Sequence, residues 1–123
     1  MLAGRTVLIV EDEFLIVNLL LDMVEDLGMV ICDVVDTADL AVKTAVEAHP
    51  EIVLMDVRLR GVQDGIDAAH RIHEACACPV VFVTGSREPA TVSRIEEAHP
   101  AATLFKPITP RVLRDTLENV LNH

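Results

Sequence analysis

Glu11-Asp12, Asp56, Thr84 and Lys106-Pro107 each stand at or just past the end of a short apolar run, the runs being Thr6–Val10, 52–55, Val80–Thr84 and 103–105. If the runs are parallel strands, three carboxylates, a hydroxyl and an ammonium converge on one edge. Carboxylates held close raise one another's pKa unless a cation is present, and Lys106 is too little charge to neutralise all three. A hard divalent ion such as Mg²⁺, which takes oxygen ligands and retains waters, resolves the conflict. The set suits phosphoryl chemistry. A phosphoryl group carries charge on three equatorial oxygens, and a metal, an ammonium and a fixed hydroxyl stabilise it. A carboxylate not consumed by metal binding then acts as nucleophile and forms an acyl phosphate. Asp56, on the run that reads as central, is the candidate. Taken singly, each residue has a plainer reading: Asp12 caps the first helix, as Asp39 or Asp64 would cap theirs, and one Lys-Pro carries little. Their joint occurrence after four runs is what is specific.

The elements that must position them follow from the pattern. A fifth run, 29–35, lies between the first two of these four, and most of the runs are continuous rather than alternating, as strands covered on both faces read. Helical periodicity fills the gaps at 13–27 (closed by Gly28), 38–49, 66–75, 89–99 and 109–122, the last with Thr109 as N-cap and Pro110 at the first helical position. Glu-Ala-His-Pro occurs at 47–50 and again at 97–100; a helix C-terminus favours His and Pro prevents continuation, so His49 and His99 are read as helix ends rather than ligands. His70, His73 and His123 are read as surface residues. Five β-α units imply a parallel sheet with helices on both faces, whose ligands bind beyond the carboxyl ends of the strands.

With 123 residues, 51% of them hydrophobic, the chain suits one domain with a real core, assigned here to residues 1–123. Twenty acids against ten Lys plus Arg, net −10, argue against nucleic acid or an anionic membrane as partner. No Trp or Tyr and three Phe leave no stacking platform for bases. Cys32, Cys76 and Cys78 lack the second pair that a zinc site needs and are expected to be reduced, buried or half-buried thiols. No apolar stretch is long enough to span a membrane and no signal peptide is visible, so a cytoplasmic location is expected.

With those residues in place the chain resembles a response-regulator receiver domain, the phosphoacceptor module of two-component signalling, from Thr6 to the last helix. The resemblance rests on Glu11-Asp12, on Asp56 within "LMDVRLRG", on Thr84 and on Lys106-Pro107. It implies a flavodoxin-like (βα)5 doubly wound sheet of order 2-1-3-4-5. It further implies that Asp12 and Asp56 bind Mg²⁺ (Mn²⁺ as substitute) by carboxylate and Arg58 by its backbone carbonyl, with Glu11 helping directly or through water. Asp56 would accept the phosphoryl group from a histidine kinase or phosphotransfer protein, Thr84 and Lys106 would hold its oxygens, and the Lys106–Pro107 bond would be cis. Activity would be limited to phosphotransfer and autodephosphorylation; the chain would otherwise not be an enzyme.

Two departures stand out. Thr103 occupies the position, three before the lysine, where receivers usually carry an aromatic switch residue, and Phe105 lies on the same pleat face without inheriting that role. "PVVFVTGSRE", residues 79–88, resembles a receiver subgroup with a Phe-x-Thr-Gly signature, in which Gly85 leaves the site open. Arg58 is expected either to pair with Glu11, Glu88 or the phosphoryl group, or simply to be solvated. On the first helix Val17, Leu20, Leu21, Val24 and Leu27 form the expected inward face, and Leu15 and Leu19 an outward pair on which a kinase or phosphotransfer protein would dock. Met1 with its short lead-in and the end "NVLNH" suggest a free-standing regulator with no output domain, signalling through protein contacts; a relay shuttle and a domain cut from a longer protein are the other forms. Three rivals remain. An aspartyl-phosphate phosphatase would need an acid where Arg58 stands, a flavin module a phosphate-cradling loop after the first strand, and a pseudo-receiver adaptor would have no use for the intact acid pocket.

Overall fold

The computed structural model describes residues 2–122. The elements alternate as β1 (Thr6–Val10), α1 (Phe14–Asp26), β2 (Val30–Val35), α2 (Ala38–Ala48), β3 (Ile52–Asp56), α3 (Gly65–Ala75), β4 (Val80–Thr84), α4 (Pro89–Glu97), β5 (Ala102–Phe105) and α5 (Pro110–Leu121). The strands form one parallel sheet in the order β2-β1-β3-β4-β5, the flavodoxin-like order expected.

Each sheet face has its own core. Leu8, Val10, Met55 and Phe82 pack with Ala41 of α2, Ile72 of α3 and Ile95 of α4. On the other face Ile9, Leu54 and Val83 pack with Leu20 and Val24 of α1 and Leu113 and Leu117 of α5. Burying one such side chain contributes about 2 kcal/mol over leaving it exposed. Every residue of β3 and β4 is buried, which is why their sequences are continuously apolar. No helix among the described residues is long and apolar enough to cross a membrane.

Several boundaries differ from those read in the sequence, each for a local reason. β2 begins at Val30 because the Met29 N–H is taken by the Val24 carbonyl, 3.1 Å away, as the chain leaves α1. Gly28 supplies the positive φ of 77° that this turn needs. α2 and α4 stop short of His49 and His99, which adopt positive φ of 47° and 54° ahead of their prolines; αR is disfavoured before proline. The His73 and His99 rings lie 5.3 Å apart between centroids. His70 and His73 are exposed, whereas His123 lies outside the described residues.

The inward face of α1 also differs. Leu20, Met23 and Val24 are its fully buried residues, with Ile16, Leu21 and Leu27 packed beside them. Val17 instead faces the cleft between α1 and α2, because the stripe 16, 20, 23, 24, 27 already fills the i, i+3/i+4 face. Thr37, not Asp39, caps α2 by accepting from the Leu40 N–H at 3.2 Å, and Asp39 pairs with Arg71 at 2.7 Å. Asp64 caps α3 in a reciprocal capping box with Asp67. Thr109 caps α5, with Pro110 in its first turn.

Candidate functional site

Strand register brings the sequence-distant groups together. Val10 lies beside Met55, Asp56 beside Val83, and Thr84 beside Phe105. The residues at or just beyond these partners, Glu11, Asp12, Asp56, Thr84 and Lys106, therefore share one sheet edge. Glu11, Asp56 and Thr84 are buried there, while Asp12 is exposed at the mouth. The Lys106 ammonium reaches inward to both buried acids, 3.3 Å from Glu11 Oε1 and 3.5 Å from Asp56 Oδ1. The Lys106 backbone N–H donates to the Thr84 carbonyl at 2.8 Å, and the bond to Pro107 is cis.

One carboxylate oxygen from each of Glu11, Asp12 and Asp56 lies within 4.8 Å of the others. The crowding registers on Glu11. Burial, and then the hydrogen bond and charge shared with Asp56, push its carboxyl up to about 7, against the opposing pull of the Glu13 N–H and Lys106. α1 has no side-chain N-cap, so Asp12 is not engaged in capping the helix it precedes. An all-oxygen donor set with one acid at the mouth and one lysine opposite fits a hard divalent cation, Mg²⁺ or Mn²⁺.

The edge opens into a cleft of about 690 Å³ whose walls include Asp12, Asp56, Arg58, Thr84, Ser86 and Lys106. Thr84 Oγ1 accepts from the Ser86 N–H at 3.1 Å, which leaves the hydroxyl proton able to point into the cleft. A Cβ at Gly85 would meet nothing nearer than Lys106 Cδ at 4.0 Å, so the position is open, as expected. Arg58 lines the cleft but is exposed, and no ion pair links its side chain to Glu11 or Glu88. Two residues past the end of β3, on a solvent-facing loop, its guanidinium is hydrated, so of the two expected arrangements the solvated one is seen and the pairing with Glu11 or Glu88 is not formed.

Gly65, Arg87 and Phe14 were not singled out from sequence. Gly65 opens α3 directly against β3: a Cβ there would stand 1.9 Å from the Asp56 carbonyl oxygen, and the Gly65 N–H donates to the Val57 carbonyl at 2.7 Å. Only the assembled fold reveals that approach, although a glycine straight after the Asp64 cap was the available signal. Arg87, in the loop after Thr84, lays its guanidinium 4.2 Å from the centre of the Phe105 ring. Thr103 lies half-buried beside Phe82, so the usual aromatic position is filled by a small polar side chain. Leu15 and Leu19, one helical turn apart on α1, are exposed at 72% and 43%, and Phe14, at 74% exposure, borders the cleft between α1 and α2.

Comparison with known proteins agrees with this geometry. Residues 7–118 match the response regulator receiver domain family. The chain is 36% identical over 105 residues to the transcriptional regulatory protein PdtaR of Mycobacterium tuberculosis, covering 85% of this chain and 51% of that protein. It is 35% identical over 105 residues to the phyllosphere-induced regulator PhyR of Methylorubrum extorquens, covering 85% of this chain and 39% of that one. The chain thus spans about half or less of the length of these relatives. Among solved structures it is similar to the signal receiver domain of a modulated diguanylate cyclase from Desulfovibrio desulfuricans G20, with TM-score 0.91, 33% identity, and 97% and 94% of the two chains covered. The receiver domain of the sensor histidine kinase PA1611 from Pseudomonas aeruginosa PAO1, which has a magnesium ion coordinated in its active-site cleft, superposes with TM-score 0.90 at 25% identity, covering 98% and 100%.

Proposed function

The chain belongs to the response regulator receiver domain family, and from that premise we propose that it is a phosphoacceptor whose acceptor is Asp56. Receiver domains act with histidine kinases or phosphotransfer proteins and bind Mg²⁺ at an acidic pocket. Asp56 would receive its phosphoryl group from a histidine phosphate on such a partner in the cytoplasm. The observation that carries it is the Lys106 ammonium spanning the buried Glu11 and Asp56 beside the Thr84 hydroxyl.

In the proposed reaction an Asp56 carboxylate oxygen attacks phosphorus, the P–N bond to the donor imidazole breaks, and an acyl phosphate forms. Lys106 and the Thr84 hydroxyl hold the transferred oxygens from two sides. Glu11, Asp12, Asp56 and the Arg58 backbone carbonyl would hold the divalent cation, which supplies neutralising charge for the carboxylates and the incoming phosphoryl group. The rigid, fully buried β3 keeps the attacking oxygen in place before the donor arrives. Arg58 stands where an aspartyl-phosphate phosphatase would need its second acid, so the acyl phosphate is the end of the chemistry apart from its hydrolysis.

The donor protein would dock on Phe14, Leu15 and Leu19, and output would pass through further protein contacts. Incubation with acetyl phosphate and Mg²⁺, read by intact mass, tests the reading. One phosphoryl adduct per chain supports it, whereas sustained phosphate release from a phosphomonoester would make the chain a phosphatase.

A further inference from the structure

Cys76 and Cys78 lie at the other end of the sheet from the acids, in the turn between α3 and β4. Their sulfurs are 3.3 Å apart and both thiols are free. Ala77 between them takes φ of 54°, a left-handed conformation that costs a residue with a Cβ about 1 kcal/mol. The N–H groups of Cys76 and Ala77 both donate to the Ile72 carbonyl, at 2.9 and 3.0 Å, which fixes the turn that brings the two side chains together. Both cysteines are half-buried and pack on the core beneath α3. Nothing in the phosphoacceptor reading uses them.

We propose that Cys76 and Cys78 form a dithiol modification site, which a low-molecular-weight disulfide converts to an intramolecular disulfide. The sulfurs are in contact before any reaction, so ring closure requires little chain entropy beyond what the Ala77 turn has already ordered. Half-burial leaves the pair accessible to a small disulfide.

The order of attack follows from the environment of Cys78. Burial first, and then the hydrogen bond and charge of Cys76, push the Cys78 thiol up to about 12, so Cys78 is a poor first nucleophile. The Cys76 thiolate attacks one sulfur of the small disulfide, breaking its S–S bond, releasing one small thiolate and leaving a mixed disulfide on Cys76. Capping Cys76 removes its share of the pressure on the Cys78 proton. The Cys78 thiolate then attacks the Cys76 sulfur, forms the protein S–S bond and expels the second small thiolate. The protons lost by the two cysteines end on the two released thiols; the protein loses two electrons and the small disulfide gains them.

Cys32, on β2, has Thr6 as its hydrogen-bond partner and is the internal control. The full chain, fully reduced, is incubated with oxidised glutathione, alkylated and read by intact mass with peptide mapping. The expected product has lost the mass of two hydrogens, carries one alkylated thiol at Cys32, and contains a Cys76–Cys78 peptide bridge. Cys32→Ser should leave that loss unchanged, and Cys78→Ser should instead accumulate glutathione on Cys76. Glutathione on all three cysteines of the native chain without the two-hydrogen loss, or a bridge that includes Cys32, would overturn the proposal.

Discussion

Gly65 packs against Asp56 so closely that a Cβ on it would stand 1.9 Å from the Asp56 carbonyl oxygen. The first turn of α3 is therefore seated directly on the backbone of the residue proposed as acceptor. Because the obstacle is backbone, not the end of a flexible side chain, Gly65→Ala must displace either α3 or the tip of β3. We expect a loss of about 2–3 kcal/mol in a urea melt, the cost of overpacking a well-filled site, together with slower acyl phosphorylation. Native stability in that variant would show that the helix can slide without cost.

Asp64, the residue before it, caps α3 and also receives Arg94 at 2.9 Å. Burial raises its pKa, but the Arg94 hydrogen bond, the Asp67 N–H and the Arg94 charge outweigh that and leave it below the usual carboxylate value. A carboxylate with a lowered folded pKa adds stability that is present above the unfolded value, about 3.9, and lost as pH falls through the folded one. Asp64→Ala is expected to cost about 1 kcal/mol at pH 7. The gap between native and variant urea midpoints should shrink as pH falls below about 4; a gap that is constant from pH 7 to pH 3 contradicts the assignment.

Lys106 is the one cation within reach of both Glu11 and Asp56 among the described residues. In Lys106→Met the transferred oxygens lose their ammonium partner, and adduct formation with acetyl phosphate should slow about 10-fold or more. Circular dichroism of the variant should match the native chain, since a Met side chain fits the same partly open channel. An unchanged rate would remove Lys106 from the proposed chemistry.

The α1 surface separates docking from chemistry. Leu15→Ser combined with Leu19→Ser leaves every group at the acid edge in place and removes two exposed apolar side chains. Transfer from a histidine-phosphorylated protein should slow, with phosphorylation by acetyl phosphate unchanged. If both rates hold, the donor docks elsewhere.

How much of this was legible in the sequence depends on how local the cause was. The acids and Lys106 could be found because each sits at a fixed offset from an apolar run, and parallel β-α repetition allows one edge on which they can meet. The caps Thr109 and Asp64 were equally visible, being set within one helical turn. What escaped was decided by contacts between distant segments: Gly65 against Asp56, Arg87 over Phe105, Met23 rather than Val17 on the inner face of α1. Asp39 was a fair cap by residue type, yet Arg71, 32 residues away, claims it and Thr37 caps instead. For Arg58 the sequence left pairing and solvation both open, because nearness to the acceptor along the chain does not say which way a loop side chain turns; the loop holds it open to water.

The central claim is that Asp56 takes a phosphoryl group in a reaction dependent on a divalent cation. Phosphoramidate, a small P–N donor, tests it without any partner protein: native chain and Asp56→Ala are incubated with it in Mg²⁺ and in excess chelator, then read by intact mass and peptide mapping. One phosphoryl group is expected, on the peptide containing Asp56, in the native chain with Mg²⁺ and none in the other three samples. A phosphoryl group that persists in Asp56→Ala, or forms equally well in chelator, would contradict it.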